Sequence, residues 1–592
     1  MTGKIVRIGG ASGAWGDSPR AIGQLLAGPI DYLMMDYLAE VTMSLLARAK
    51  MKDPNGGFPP DFIGYLKPHL AVVAARGIKV VSNAGGVNPQ SCRAALQTVC
   101  DELGLGLKIA TVEGDDVMPL IDTLRAEGVR EAVSGAALPP RMLTANAYLG
   151  ALPIKTALDH GADIVITGRC ADSALALGAL MHEFDWSSDA YDLLAAGSLV
   201  GHMLECGAQG VGGLHTDWQI VPDWENIGYP IAECFADGSF VLTKPEGTGG
   251  LVTPGTASEQ ILYEIGDPAA YLLPDVVADF SQVQLEQIGP ERVRITGVSG
   301  RAPTDHYKVS ATYQDGYKAV ATVSIVGPMA AEKAERTGEA LIARARLGFA
   351  EKSLPDFTAT HIEVLGAEAS YGSESRTRGS REVLLRLVVA HLDRQALDIF
   401  ARELGSVGIS FAPGTTGIYS GRPKPTPQIR LFTLFIDKGH LGDPVVSLGT
   451  ERYAVATPAG LPWTPPNPLP EHVDEAPLTG PTVEVPLMRL ALARSGDKGD
   501  SANIAIIARE PAYEPIIRRE VTVERIAEHF GHLVSGRVRR FAAPGLHAFN
   551  FLLEEALGGG GMASLRIDPQ GKAYGQMALE MMVRVPADLF ES

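Results

Sequence analysis

The chain is predicted to be an α/β protein in two unequal parts, and three features of the sequence predict it. The first 170 residues repeat a short aliphatic run, a polar or glycine-rich turn and a helical stretch, an alternation that builds parallel strands with helical crossovers. Residues 293–326 change to antiparallel strand patterning, which gives the parallel α/β sheet domain an antiparallel-containing α+β extension. Prolines and acidic residues then crowd 461–481 while apolar periodicity vanishes, marking a Pro-rich linker ahead of a small α+β domain at 482–592. The large domain therefore spans 1–460, with a sub-boundary near 270–330. At 592 residues and 46% hydrophobic content the chain can bury several cores. A net charge of −18 argues against nucleic acid or an anionic membrane as main partner. No apolar run reaches transmembrane length and the first residues enter a strand without a secretory pattern, so a cytoplasmic protein is expected. The five cysteines form no Cys-x-x-Cys pair, so neither a disulfide framework nor a metal site is expected.

Strands are expected at 5–8, 32–35, 79–82, 107–112 and 164–167. Ligands of such sheets bind beyond the carboxyl ends of the strands, so the residues just after each strand are the candidates. The first end is Gly9-Gly10-Ala11-Ser12-Gly13-Ala14-Trp15-Gly16-Asp17, before a helix from Pro19. Glycines let backbone approach a ligand and a helix N-terminus favours an anion, which makes Gly10, Ser12 and Gly13 candidate binders and Asp17 a candidate acid–base group. The spacing meets neither the dinucleotide nor the Walker pattern, so a nucleotide site, an anion site and a merely tight turn stay open. Later strand ends supply Asp36 and Glu40, then Asn83, Gly85, Gly86 and Asn88, then Glu113, Asp115 and Asp116, then Arg169 and Asp172. Asn83, Gly86, Asn88 and Arg169 are read as substrate-binding and Asp172 as catalytic. The plainer reading is that Asp and Asn cap helices, Asp172 starting one over 173–181.

Farther along, His202, Glu205 and Cys206 end a helical run at a spacing that shares one face, as a nucleophile, base and acid would. Against this stands a small buried Cys206 beside a packed His202. Glu205 is kept as a candidate base. A strand at 240–243 leads into the loop Lys244-Pro245-Glu246-Gly247-Thr248-Gly249-Gly250 before a helix over 257–265. Lys244, Thr248 and Gly249 there suit an oxyanion or phosphate cradle, with a flexible connector as the alternative. Strands follow at 293–296, 307–313 and 318–326, the last two read as a hairpin across Asp315-Gly316, then a helix over 329–347. A strand at 382–389, a helix at 394–404 and a strand at 429–436 complete the large part.

The densest packet of polar chemistry is Ala493-Arg494-Ser495-Gly496-Asp497-Lys498-Gly499-Asp500-Ser501-Ala502-Asn503. Its flanks, 485–492 and 504–508, read as buried strands, so the packet is read as the turn between them. A plain hairpin needs only a Gly or Asn pair, so Arg494, Ser495, Asp497, Lys498, Asp500 and Asn503 are read as a ligand-facing, substrate-binding loop. A solvated loop with self-paired charges, or a docking surface between subunits, are the alternatives. Helices at 523–532 and 547–557, a stop at Gly558–Gly561 and strands near 564–567 and 576–585 follow.

Taken together, the first glycine run, Asn83-Ala84-Gly85-Gly86-Val87-Asn88-Pro89, Gly168-Arg169-Cys170-Ala171-Asp172, Leu204-Glu205-Cys206-Gly207, the 243–250 loop and the charged packet resemble the acyclic terpene utilization (AtuA-like) family. The resemblance covers nearly the whole chain and implies a ferredoxin-like C-terminal domain. It departs at one place: the family's Asp-Arg pair closing the first glycine loop is spread here as Asp17-Ser18-Pro19-Arg20, which carries Asp17 over and leaves Arg20 without a role. The family is associated with bacterial breakdown of citronellol- and geraniol-type terpenes alongside acyl-CoA carboxylase, hydratase and dehydrogenase partners, with no settled reaction for this component.

No HExxH, Cys–His metal set or nucleophile elbow is present, whereas acid–base groups with anion-cradling loops fit addition or elimination on a carboxylate or thioester. The expectation is therefore lyase or hydratase chemistry on a carboxylated or branched acyl-CoA. No cofactor is expected, and a coenzyme A thioester is admitted as substrate. The alternatives are a non-catalytic partner binding acyl-CoA or an acyl-CoA carboxylase, and a nucleotide-dependent enzyme. A homo-oligomer is the base-rate expectation.

Overall fold

The computed structural model describes residues 3–418, 421–465 and 480–590. An eleven-stranded sheet organises the N-terminal part. At its centre five parallel strands run in the spatial order Val6–Gly13, Tyr32–Asp36, Lys79–Ser82, Ile164–Thr167 and Ile109–Glu113. They lie where the aliphatic runs place them. The strand Ile164–Thr167 is buried along its whole length, which is why it reads as a continuous apolar run. Successive side chains go to opposite faces: Leu33, Met35 and Val80 join one core with the helices Arg20–Leu26, Pro60–Leu66 and Pro89–Glu102. Tyr32, Met34 and Val81 join the other, with Leu152–Asp159, Ala174–Phe184 and Tyr191–Leu204. Antiparallel strands extend this sheet on both edges.

A second, six-stranded antiparallel sheet is built around the strand His306–Val326. This corrects the hairpin expected across Asp315-Gly316. Both halves pair with the same neighbour, Thr426–Asp437, and the register shifts only between Gln314 and Tyr317. Gly316, at φ +74°, thus makes a bulge in a continuous strand, not a reversal. The helices Ala330–Lys352 and Arg394–Glu403 cover this sheet.

In the C-terminal part the strands Ala491–Lys498, Ser501–Ala508, Ala548–Leu553 and Val538–Ala543 form an antiparallel sheet in that order. One face packs on the helices Glu514–Glu520, Val523–His529 and Tyr574–Ala578. From the other face Leu492, Ala505, Ile507 and Ala548 enter the large core of the N-terminal part. Three sequence readings are corrected here. The charged packet is not a loop: it is strand on both sides of a two-residue turn, with Lys498 opposite Ser501 and Gly499 at φ +67°. The helix expected at 547–557 is the strand Ala548–Leu553, whose burial on both faces removes the alternation that marks a strand. Residues 564–567 form no strand, and 576–585 divides between the helix Tyr574–Ala578 and the strand Met582–Pro586. Most of the Pro-rich stretch read as a linker, 466–479, lies outside the described residues. Among the described residues no helix is long and apolar enough to cross a membrane.

Candidate active site

The carboxyl ends of the parallel strands converge on one buried guanidinium. Arg169, just beyond Ile164–Thr167, donates from Nη1 to Leu38 O and to Asp172 Oδ1, both at 2.7 Å, and stacks 4.2 Å from the Tyr148 ring. Its Nε is buried without a partner. Its own N–H is held by Asp115 Oδ2 at 2.9 Å, and Asn146 Nδ2 donates to the same oxygen. Asn83 donates to Asp36 Oδ1 at 2.6 Å and accepts from Tyr37 N at 2.8 Å, fixing Asp36 beside this cluster. Burial raises the Asp172 carboxyl to about 6 against the pull of Arg169, with Glu205 adding to the rise. Burial, with the Asp172 charge adding, also holds Asp36 well above the ordinary carboxylate range. The surrounding carboxylates keep Arg169 firmly protonated despite its burial.

Asp172 opens onto a cavity of about 970 Å³ between the N-terminal part and the C-terminal sheet. Lys308 and Lys498 line it with Asp172, and Tyr148 and Tyr271 supply aromatic wall. The Lys308 ammonium stands 4.8 Å from the Tyr148 ring, and that of Lys498 5.3 Å from the Tyr271 ring. Arg518, Arg539, Arg540 and His306 add cationic and ionisable groups, and Phe435, Trp463 and Phe549 apolar surface. Volume, apolar lining and a few charged groups together are what a small-molecule site offers.

Behind the cavity, His202 places Nδ1 2.8 Å from Glu205 Oε1 and Nε2 3.0 Å from Gln260 O. The ring is thus held between the Glu205 carboxyl and a backbone carbonyl. Burial opposes a charge on the ring, and Glu205 outweighs it and raises His202. Burial, then the Glu205 charge, push Cys206 well above an ordinary thiol, which keeps it from serving as a thiolate nucleophile.

Other expected site residues are engaged elsewhere. Gly10 and Gly13 lie inside the strand Val6–Gly13 because the end of the helix Tyr191–Leu204 crosses against it: a Cβ at Gly10 would stand 2.6 Å from Leu204 O, and one at Gly13 2.5 Å from Cys206 C. Ser12 Oγ donates to Asp36 O. Asp17 accepts from Gly13 N, Ser18 N and Tyr229 Oη, and so ties the strand end to the turn after it. Gly86, at φ +55°, passes close to Gly57 O, and Asn88 donates to Pro54 O and Gly56 O, so both secure the 53–57 segment. Lys244 is turned onto Thr248 O at 2.7 Å, the Thr248 hydroxyl onto Pro245 O, and Gly249 N onto Asn226 O. That loop closes on itself, away from the cavity lining.

The packet divides. Lys498 reaches the cavity. Asn503 is buried, accepting from Glu264 N at 3.0 Å and donating to Leu262 O at 2.8 Å, which caps the chain leaving the helix Pro254–Ile261. Asp500 Oδ1 accepts from Leu557 N and Gly559 N and anchors the glycine run. Ser495 accepts from Gly575 N, and Asp497 pairs with Lys572 at 3.3 Å. Arg494 donates to Leu214 O. Arg494, Lys498 and Asn503 thus face the N-terminal part of the chain, while Ser495, Asp497 and Asp500 are held within the C-terminal part.

Sequence reasoning passed over Tyr148, Tyr271, Lys308 and the cationic wall. Arg539-Arg540 was the available signal, an adjacent basic pair in an acidic chain, but strand patterning around it hides which way each residue points. Among the described residues no group of three or more His, Cys, Asp or Glu is arranged to hold a metal ion.

Comparison with known families agrees with this two-part arrangement. The family described as "Acyclic terpene utilisation family protein AtuA" matches residues 6–446, and the "AtuA ferredoxin-like domain" matches 485–584. No curated protein matches the chain. The chain therefore belongs to the acyclic terpene utilisation family AtuA, with a ferredoxin-like domain as its C-terminal part.

Proposed function

We propose that the protein is a lyase or hydratase acting on a carboxylated or branched acyl-CoA in acyclic terpene breakdown. The observation that carries this reading is the cavity itself: one carboxylate raised to about 6, Asp172, shares it with two ammoniums, Lys308 and Lys498, and with Arg518, Arg539 and Arg540. An acyl thioester needs a group that moves a proton, cations where the thioester oxygen gains charge, and cations for the phosphates. In the hydratase direction Asp172 takes a proton from water as its oxygen bonds to C3, and the electron pair of the double bond moves onto the thioester oxygen between Lys308 and Lys498. Return of the proton to C2 completes the addition. In the lyase direction Asp172 takes the 3-hydroxyl proton, C3 becomes a carbonyl as the C2–C3 bond breaks, the same oxygen receives the pair, and the proton passes from Asp172 to C2. In this reading Asp172, not Glu205, is the base, because Glu205 is held by His202 and does not line the cavity.

The test is conversion of branched enoyl-CoA and 3-hydroxyacyl-CoA thioesters by the purified protein, followed by mass. Asp172→Asn is expected to lose at least 100-fold in rate, on the scale typical for a general base, while retaining the thermal shift with the thioester. No conversion across the panel, with or without added metal ions, would refute the reading.

A further inference from the structure

We propose that a second cleft, between Trp218, Trp224 and Arg494, binds the carboxylate of a small apolar acid. It has a volume of about 470 Å³ and shares no lining residue with the Asp172 cavity. That volume lies within the range of small-ligand pockets, roughly 300–1,000 Å³.

Its two ends differ in chemistry. At the rim the Trp218 and Trp224 rings meet edge-on at 5.8 Å and stay 53% and 57% exposed, next to Leu214 at 67%. So much aromatic and aliphatic surface gathered at the mouth of a cleft is apolar area left available to a ligand. At the floor lies Arg494, 7% exposed. Its guanidinium donates to Leu214 O at 2.9 Å and to Gln209 Oε1, and stacks 4.7 Å from the Tyr263 ring. All three partners are neutral, and the described residues place no ion pair on this cation. The neighbouring Lys572 is by contrast paired with Glu264 at 2.7 Å and Asp497 at 3.3 Å. A buried charge without a counter-ion is costly, and an arriving carboxylate supplies one in the bidentate form that a guanidinium matches.

His215 gives a second polar group at the floor. Its Nδ1 is buried without a hydrogen bond, 3.1 Å from Glu259 Oε2 but out of line with it, while Glu259 accepts from Thr216 N. The imidazole shares the cleft lining while Glu259 does not, and the Glu264 and Asp497 carboxylates beside the floor are taken up by Lys572. A cationic floor under an indole rim selects an anionic head with a short hydrocarbon tail. A second copy of the chain seated on the rim would cover the indoles but leave Arg494 as it is.

The probe is octanoate, titrated calorimetrically into the full-length protein, with 1-octanol as the uncharged control. Octanoate is expected to bind with one site per chain, and octanol at least tenfold more weakly. Arg494 is buried between the two parts of the chain and its loss threatens folding, so the exposed rim supplies the variants. Trp224→Ala and Leu214→Asp are each expected to weaken octanoate at least tenfold, the second by charge repulsion, with circular dichroism unchanged. Asp172→Asn is expected to bind octanoate as wild type does, which separates this cleft from the proposed catalytic cavity. Four results would overturn the proposal: octanol binding as well as octanoate, wild-type affinity in both rim variants, loss of binding in Asp172→Asn, or a sedimenting dimer dissolved by Trp224→Ala with no octanoate bound.

Discussion

Replacing Asn503 with alanine tests the idea that the polar packet joins the two parts of the chain. The side chain is 1% exposed and makes three hydrogen bonds: from Glu264 N at 3.0 Å, to Leu262 O at 2.8 Å, and to Asn550 Oδ1 at 3.0 Å. Asn550 in turn donates to Ile265 O at 2.7 Å and Gly266 O at 2.6 Å. Alanine therefore strands the Glu264 N–H and the Leu262 carbonyl in a buried seam. Each unsatisfied group costs about 1–3 kcal/mol, so the expected loss is about 2–5 kcal/mol, falling to the low end if a water fills the space. Urea slopes are about 1–3 kcal/mol/M for small proteins and steeper for larger ones, so the low end moves the midpoint by about 0.5 M. The assay is urea unfolding followed by tryptophan fluorescence and circular dichroism together, so that unfolding in two steps is recognised. Asn503→Asp sharpens the test: it keeps the acceptor for Glu264 N but turns lone pairs toward Leu262 O, and should cost at least as much. A double-mutant cycle with Asn550→Ala is expected to show coupling of about 0.5–3 kcal/mol. If Asn503→Ala lies within about 0.5 kcal/mol of wild type, or Asn503→Asp is harmless, the clasp does not hold the parts together.

Gly13→Ala drives a Cβ to 2.5 Å from Cys206 C, a backbone atom that cannot swing aside, and should cost about 1–3 kcal/mol as overpacking, seen as a lower melting temperature with no specific loss of ligand affinity. In the proposed reaction, Arg539→Ala with Arg540→Ala should raise KM for a CoA thioester about tenfold or more while leaving kcat within a few-fold, a split that steady-state kinetics reads directly. Because Asp172 must be ionised to act as a base and its carboxyl sits at about 6, the rate should rise with pH through about pH 6. The same raised value means that Asp172 favours the folded state most when protonated, and that this contribution is lost as pH rises from about 3.9 to about 6. Glu363 behaves oppositely. Although burial works against it, His361, Ile567 N and Arg386 hold it below the ordinary glutamate value, so its stabilisation is present above about pH 4.3 and lost as pH falls through its folded value. Glu363→Gln should therefore flatten the acid limb of a melting-temperature profile between about pH 5 and 3.

The parallel core was legible because its strands are buried on both faces and its crossovers are helical, so Tyr32–Asp36, Lys79–Ser82 and Ile164–Thr167 announce themselves as short aliphatic runs. The C-terminal sheet was less so, for one physical reason. Its strands meet the N-terminal part through polar as well as apolar side chains, and Asn503 and Asn550 are satisfied by the backbone of residues 262–266, far away in sequence. Read alone, Arg, Asp, Lys and Asn in a row signal a loop. The same gap explains the site. Arg169 and Asp172 were found because they follow a strand end in one motif, whereas Lys308 comes from the second sheet and Arg539 and Arg540 from the C-terminal one, and no local spacing connects them. Gly10, Gly13 and Gly86 were visible as unusual, but glycine marks close approach without saying whether a ligand or a helix end approaches.

Asp36, Glu205 and Asp172 lie close enough to influence one another, and their differing burial and partners select one of them for the proposed chemistry. Asp36 lies deepest, where burial and the Asp172 charge hold it well above the ordinary carboxylate range, and it does not line the cavity. Glu205 is committed to His202, 2.8 Å from its Nδ1, and does not line the cavity. Asp172 alone combines a carboxyl raised to about 6, a cavity face and a cation that keeps its ionised form accessible. In the proposed chemistry Arg169 restrains the rise of Asp172, to which it donates directly: with its Nη1 shared between Leu38 O and Asp172, it points at protein, not at the cavity lining. Replacing it would leave two adjacent buried carboxyls that cannot both ionise, and the proton that Asp172 must give up near neutrality would stay on it.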